Sequence, residues 1–108
     1  MLETLLQPGD TEERCGLILT DESIVEIENV AEDKVNSYRM NPVGVLPFVD
    51  NLAGTWHTHP DSDPNLSEED YAGFLAWPDL EHYIIGRRSG HITVMKYRVE
   101  DGLVLACD

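Results

Sequence analysis

Residues 54–70, GTWHTHPDSDPNLSEED, constrain the fold more than any other segment of the chain. The segment begins as an apolar, strand-like run, and alternation along a strand places Thr55, His57 and His59 on one face. Seven turn-forming residues then separate His59 from Ser67, where a helical pattern begins. A loop this short predicts that the end of the strand and the start of the helix lie side by side.

The helical pattern after this loop opens with a capping box. Ser67 is a favourable N-cap residue, and Asp70 follows it at the position from which a side chain can reach back to the cap. Phe74 lies on a one-sided apolar stripe of the helix. Trp77 precedes Pro78, and a residue before proline avoids the α region. The sequence therefore predicts a helix that begins after Ser67 and ends before Pro78.

The rest of the chain reads mostly as strands and turns. Residues 2–6 predict about one helical turn before a Pro-Gly pair, and residues 30–52 predict mostly loop, with short strand pieces near Tyr38 and Phe48. The strand-like runs besides 53–59 cover residues 15–20, 24–29, 81–87, 91–99 and 103–106. Together they predict a single domain over residues 1–108, built on a sheet of about six strands with few, short helices.

Charge and composition narrow the range of partners. The chain has 21 acidic and 7 basic residues and a net charge of −14, which argues against nucleic acid because phosphate binding needs Lys and Arg. No apolar run approaches the ~20 residues of a membrane helix, and the first residues show no signal-peptide pattern. We therefore expect a cytoplasmic protein with no membrane or nucleic-acid partner, in which Cys15 and Cys107 are free thiols.

The two histidines and the helical carboxylate can share one metal ion. Zinc accepts imidazole and carboxylate ligands, and a catalytic zinc site uses three protein ligands and keeps one position for water. His57, His59 and Asp70 are the predicted ligands of one Zn²⁺ per chain. Glu13, just ahead of the apolar run CGLIL, is the candidate base for the water, and Ser67 is a candidate donor to an oxyanion.

Each of these features also has a plainer interpretation. Ser67-x-x-Asp70 alone is a capping box, a His-x-His pair at a strand end is often a coincidence, and Glu13 is one acid among many. A closed structural zinc site is a further alternative, although it lacks the C-x-x-C spacing that makes such sites recognisable. Its ligands would be Cys15, Cys107, His57 and His59.

Two further expectations concern the surroundings of this site. The 60–66 loop is rich in Pro and Asp, and we expect it to be mobile. Arg87 and Arg88 are interpreted as the tip of a hairpin, with contact to an acidic partner or a carboxylate terminus as the less favoured alternative.

The whole pattern resembles the signature of a metalloprotease family. Residues 57–70 match H-x-H-x7-S-x2-D, the motif of the JAMM or MPN+ zinc metalloproteases. The upstream E-x-x-G-L element of that family is matched by residues 13–17, ERCGL. The Cys-Gly-Leu version is similar to the prokaryotic JAB-like branch, which includes the N-terminal domain of lambda-type phage tail assembly proteins. The similarity covers nearly the whole chain.

This resemblance implies a three-layer α/β fold like that of cytidine deaminases, with a mixed central sheet. It implies zinc bound by His57, His59 and Asp70, with Glu13 as general base and Ser67 stabilising the tetrahedral intermediate. The chain departs from the family at its N-terminal helix, which Pro8-Gly9 cuts short, and at residues 38–52, where a stretch with two prolines replaces the second helix.

The family also implies a reaction and a class of substrate. Its members hydrolyse peptide or isopeptide bonds, often just after a Gly-Gly tail, and its eukaryotic members remove ubiquitin. We therefore expect a deubiquitinase-like metallopeptidase that acts on the tail of a ubiquitin-like or sulfur-carrier protein. The alternatives are a peptidase in phage tail assembly or cell-wall processing and a non-catalytic, protein-binding scaffold with a structural zinc. The sequence leaves the oligomeric state open.

Overall fold

One mixed β-sheet forms the centre of the protein. The computed structural model describes residues 2–107, and the strands lie in the order β2-β1-β3-β4-β5-β6. Only β3 and β4 pair in parallel, and the other neighbouring pairs are antiparallel. The strands are β1 (Cys15–Leu19), β2 (Ile24–Ile27), β3 (Leu52–Thr58), β4 (Glu81–Arg88), β5 (His91–Glu100) and β6 (Leu103–Cys107). The predicted α/β fold with a mixed sheet of six strands is confirmed.

Short helical elements cover both faces of this sheet. The α-helices described are α1 (Pro42–Val45) and α2 (Glu68–Leu75), and 3₁₀ turns span Leu2–Leu5 and Leu46–Asn51. On one face, Phe74 of α2 packs with Ile84 and Tyr97. On the other face, Leu6 at the end of the first 3₁₀ turn packs with Trp56 and Ile85. The protein therefore has three layers. Within residues 2–107, no helix is long and apolar enough to cross a membrane.

The pairing of β3 with its two neighbours brings distant segments to one end of the sheet. Because parallel strands cannot be joined by a tight turn, residues 59–80 cross over from β3 to β4, and α2 lies in this connection. On the other side, antiparallel pairing sets Cys15 of β1 opposite His57 of β3. The start of β1, the end of β3 and the start of α2 therefore meet, as the loop length predicted.

The segment 30–52 differs from its prediction. The expected strand piece near Phe48 is wrong, since residues 42–51 form α1 and a 3₁₀ turn, so helical structure is present where the two prolines indicated its loss. Near Tyr38, an isolated antiparallel bridge pairs Met40 with Asn29. Pro42 occupies the first turn of α1, where a proline costs no helical hydrogen bond. The side chain of Asn41 caps this helix by accepting a hydrogen bond from the Val43 N–H, at 3.1 Å.

Candidate metal centre

Three predicted ligand side chains converge in the interior. His57 Nε2 lies 3.1 Å from Asp70 Oδ1, His59 Nε2 lies 3.3 Å from Asp70 Oδ2, and the two Nε2 atoms are 3.2 Å apart. Bonds of ~2.0–2.1 Å at tetrahedral angles place neighbouring ligand atoms about 3.3–3.4 Å apart. The three side chains therefore lie close enough to share one ion, with each histidine facing a different oxygen of Asp70, and all three residues are buried.

Glu13 lies beside the two histidines. Ligand-type atoms of Glu13, His57 and His59 all fall within 4.8 Å of one another, and this buried group can hold a metal ion. The backbone of Glu13 is fixed, because its N–H donates to the Lys34 carbonyl at 2.7 Å and its carbonyl accepts from Asn29 Nδ2 at 2.8 Å. Both Glu13 and Asp70 therefore lie beside the histidine pair, and the assignment of Asp70 as third ligand and Glu13 as base stays a prediction from the sequence.

The two imidazoles are oriented in different ways. His59 Nδ1 donates to the Asp63 carbonyl at 2.9 Å, which orients the ring so that Nε2 faces Asp70. His57 Nδ1 is buried and has no hydrogen-bond partner among the residues described. The His57 ring instead stacks on Tyr38, with centroids 4.2 Å apart and planes inclined by 24°, and packs at a tilt near Phe74. Ring packing therefore replaces the usual second hydrogen bond.

The electrostatics favour an ionised Asp70 and a neutral His57. Burial of His59 is outweighed by hydrogen bonds to Asp70 and the Asp63 carbonyl, which raise the pKa of His59. Burial opposes ionisation of Asp70, but hydrogen bonds from His57 and His59 outweigh it and hold the pKa of this carboxyl well below its usual range. Burial also lowers the pKa of His57. Burial, reinforced by the negative charge of Asp70, raises the pKa of Glu13 from 4.5 to about 7. A carboxyl group that titrates near neutral pH suits a general base.

Ser67 belongs both to the capping box of α2 and to the lining of a cavity at the site. Its Oγ accepts a hydrogen bond from the Asp70 N–H at 3.0 Å, and its own N–H donates to Asp70 Oδ2 at 3.2 Å. The predicted capping box is therefore present, and it also fixes the Asp70 carboxylate. The Ser67 side chain is exposed, and together with Glu13 it lines a cavity at the site. Its role as an oxyanion donor stays a prediction.

Residues at the end of β4 hold the 60–66 loop in place. The Arg87 N–H donates to the Ser62 carbonyl at 2.8 Å, and Arg88 forms an ion pair with Asp63 at 2.8 Å. Gly86 lets the loop approach this closely, because a Cβ there would lie 2.5 Å from the Ser62 oxygen. The hairpin-tip interpretation missed these contacts, since sequence spacing does not show which loop lies over a strand end. The Asp63 carbonyl in turn orients His59. The contacts of Arg87 and Arg88 with the loop, called the clamp below, therefore support this predicted ligand.

Cys107 lies far from the histidine pair and from Cys15, whereas Cys15 is paired directly with His57 across β1 and β3. Cys15 is buried on β1, with its Sγ hydrogen-bonded to the Ile27 carbonyl at 3.5 Å, and both cysteines are free thiols. Cys107 ends β6 at the far edge of the sheet, beyond β3, β4 and β5. The alternative of a closed structural zinc site that uses both cysteines is therefore incompatible with the fold.

Comparison with known proteins supports the fold. Protein DSY2949 from Desulfitobacterium hafniense, a structural-genomics target solved in solution, has a TM-score of 0.76 at 20% sequence identity, over 99% of this chain and 83% of that chain. A protein from Salinibacter ruber, also solved in solution, has a TM-score of 0.55 at 14% identity, over 99% of this chain and 80% of that one. No family model matches the sequence, and no curated protein matches it significantly. Identities this low show a shared fold alone.

Proposed function

We propose that this protein is a zinc-dependent metallopeptidase or isopeptidase of the JAMM type. The observation that carries the proposal is the set of separations of 3.1, 3.3 and 3.2 Å among His57, His59 and Asp70. A donor set of two imidazole nitrogens and one carboxylate suits an open, catalytic zinc site. The resemblance of residues 13–17 and 57–70 to the JAMM signature supports the same reaction.

The chain's own groups divide the chemistry of amide hydrolysis among them. Zinc held by His57, His59 and Asp70 would supply Lewis acidity and would lower the pKa of a water molecule towards neutral. Glu13, buried beside the histidines, would accept a proton from the attacking water and pass it to the leaving amine. Ser67, exposed at the cavity and free to rotate its hydroxyl hydrogen, donates to the oxyanion that develops on the carbonyl.

The substrate of this proposal is a protein or peptide tail. The Gly-Gly tail of a ubiquitin-like or sulfur-carrier protein is the first class to test, because the resemblance in the zinc motif points to it. The net charge of −14 argues against nucleic acid as a competing partner. Phage tail assembly and cell-wall processing involve the same chemistry on other substrates, so a substrate screen covers all of them.

Substitution of the proposed base tests the mechanism. Glu13→Gln keeps the shape of the side chain but removes the proton acceptor, so zinc content should stay at about one ion per chain while hydrolysis falls about 10²–10⁴-fold. Glu12→Gln is the matched control, because Glu12 is the neighbouring acid and its side chain is exposed. Undiminished hydrolysis in Glu13→Gln contradicts the mechanism. Full zinc loading without hydrolysis of any tailed substrate favours the non-catalytic scaffold.

A further inference from the structure

Two cavities meet at the candidate metal centre. The larger cavity, of about 490 Å³, extends from Glu13, Ser67 and Asp70 to the far end of α2. The smaller, of about 250 Å³, lies at the 60–62 loop, beside His59. Glu13 and Ser67 line both cavities. The proposed base and the proposed oxyanion donor therefore lie at the junction, where a bond under attack must sit.

The walls of the two cavities differ in chemistry. Beyond the metal centre the larger cavity is mostly apolar, and its wall comes from the α1 region and the end of α2, including Val45, Leu46, Val49 and Trp77. The smaller cavity has a mixed lining, in which polar residues such as Thr11, His59, Asp61 and Ser62 outnumber apolar ones. A single extended peptide across the junction therefore meets a largely apolar wall in one cavity and a mixed wall with more polar groups in the other.

Apolar side chains at the mouth of the larger cavity are unusually exposed. Leu46 is 65% exposed, Val49 50% and Trp77 55%. Exposed apolar groups gathered around a concave site mark a binding surface, and a largely apolar pocket with a few converging polar groups is typical of ligand sites. The volume is also within the range of such sites, roughly 300–1,000 Å³.

We propose that the larger cavity is a specificity pocket for a bulky apolar side chain of the substrate, next to the bond that is cleaved. The smaller cavity then receives the polar or small residue on the other side of that bond. The occupant is a peptide, because the cavity is continuous with Glu13 and Ser67 and because acidic groups at the junction suit a neutral or basic chain better than an acidic one. This inference rests on the proposed peptidase function and narrows its substrate. A glycine next to the cleaved bond would leave the larger cavity empty, so the residue on that side must be bulky and apolar.

Binding of model peptides tests the pocket without requiring turnover. The probes are short, capped alanine peptides with a central leucine, phenylalanine or glycine, titrated against the zinc-loaded protein while the intrinsic tryptophan fluorescence of Trp56 and Trp77 is recorded. Burial of one large apolar side chain should make the leucine and phenylalanine peptides bind about tenfold or more tightly than the glycine peptide. Equal binding of all three peptides overturns the proposal.

A matched pair of variants locates the effect. Leu46 lines the cavity and Val43 does not, although both are strongly exposed apolar residues of the same helical segment. Leu46→Asp should abolish the preference for leucine over glycine, and Val43→Asp should leave it intact, with zinc content unchanged in both. An equal effect of the two substitutions overturns the proposal.

Two further outcomes separate this inference from the proposed function. Selective binding of apolar peptides that are never hydrolysed supports the pocket and contradicts the peptidase. Hydrolysis without any preference at the residues next to the cleaved bond supports the peptidase and overturns the pocket. The cavity could instead be filled by a second copy of the chain, which sedimentation of the same samples tests. A dimer that Leu46→Asp dissociates would show that a second copy fills the cavity, and it would overturn the proposal.

Discussion

The aromatic ring of Tyr38 stacks on the imidazole of His57, whose Nδ1 has no hydrogen-bond partner within residues 2–107. Tyr38 lies in an irregular segment, two residues before the isolated bridge between Met40 and Asn29. The orienting role that a carboxylate or carbonyl usually has for a metal-bound histidine therefore falls to an aromatic face. No spacing rule predicts this contact, because residue 38 reaches the site through an irregular segment.

Removal of this aromatic face should weaken metal binding. Tyr38→Ala frees the His57 ring to rotate, so we expect zinc affinity to fall about 10–100-fold, the usual effect of losing an outer-shell partner. Tyr38→Phe keeps the stacked ring and should bind zinc like the wild type. Competition with a chromophoric chelator measures both affinities. An unchanged affinity in Tyr38→Ala contradicts the orienting role.

Glu13 should reduce the stability of the metal-free fold at alkaline pH. Its pKa is raised from 4.5 to about 7 in the folded chain, chiefly by burial, so the folded state binds its proton more tightly than the unfolded state does. The free energy of unfolding therefore falls as pH rises through this interval. Gln does not titrate, so Glu13→Gln should raise the melting temperature with chelator present at about pH 8 and raise it less at about pH 5.

The same comparison in Glu12→Gln controls for the loss of one surface charge. Because Glu12 is exposed, its substitution should change the melting temperature little at either pH. A gain in Glu13→Gln that is equal at both pH values contradicts a buried, proton-binding Glu13.

At the level of elements, local sequence signals predicted most of the regular strands and helices. The strand β3, the helix α2 and its capping box follow from alternation, helical spacing and the Ser67-Asp70 pair. The α1 region was missed because prolines also fit the first turn of a helix, and the sequence alone favoured a loop. The contacts between the 60–66 loop and the end of β4 were not predicted, because they depend on tertiary pairing, and the mobility of this loop stays a prediction.

The close approach of the 60–66 loop to Gly86 can be tested with a pair of glycine substitutions. Gly86→Ala places a Cβ 2.5 Å from the Ser62 oxygen, so the loop must shift. We expect a lower melting temperature and weaker zinc binding, because the displaced loop also carries Asp63, which orients His59.

Gly73→Ala is the matched control, because its Cβ meets nothing within 4 Å and the residue lies inside α2. It should stabilise the protein by about 0.5–1 kcal/mol. Calorimetry and zinc titration on both variants make the comparison. Equal behaviour of the two variants contradicts the clamp.

At the level of the whole molecule, topology assembles the site from three distant segments. The β1–β3 pairing brings Glu13 beside the histidines, and the crossover between parallel β3 and β4 places Asp70 over them. The sequence motif anticipated this convergence, because residue types and spacing limit how the segments can meet. The sequence motif did not predict the two cavities, because their walls come from segments that only the complete fold brings together.

The measurement that tests the central claim most directly is the metal content of the purified protein, by elemental analysis, beside Asp70→Ala and Glu68→Ala. Glu68 is an exposed acid in the same first turn of α2, so it controls for the lost charge. We predict about one zinc per chain in the wild type and Glu68→Ala, and a loss of most zinc in Asp70→Ala, because a catalytic site has only three protein ligands. Absence of zinc from the wild-type chain, even after zinc is added at neutral pH, would contradict the account and leave Ser67 and Asp70 as a helix cap alone.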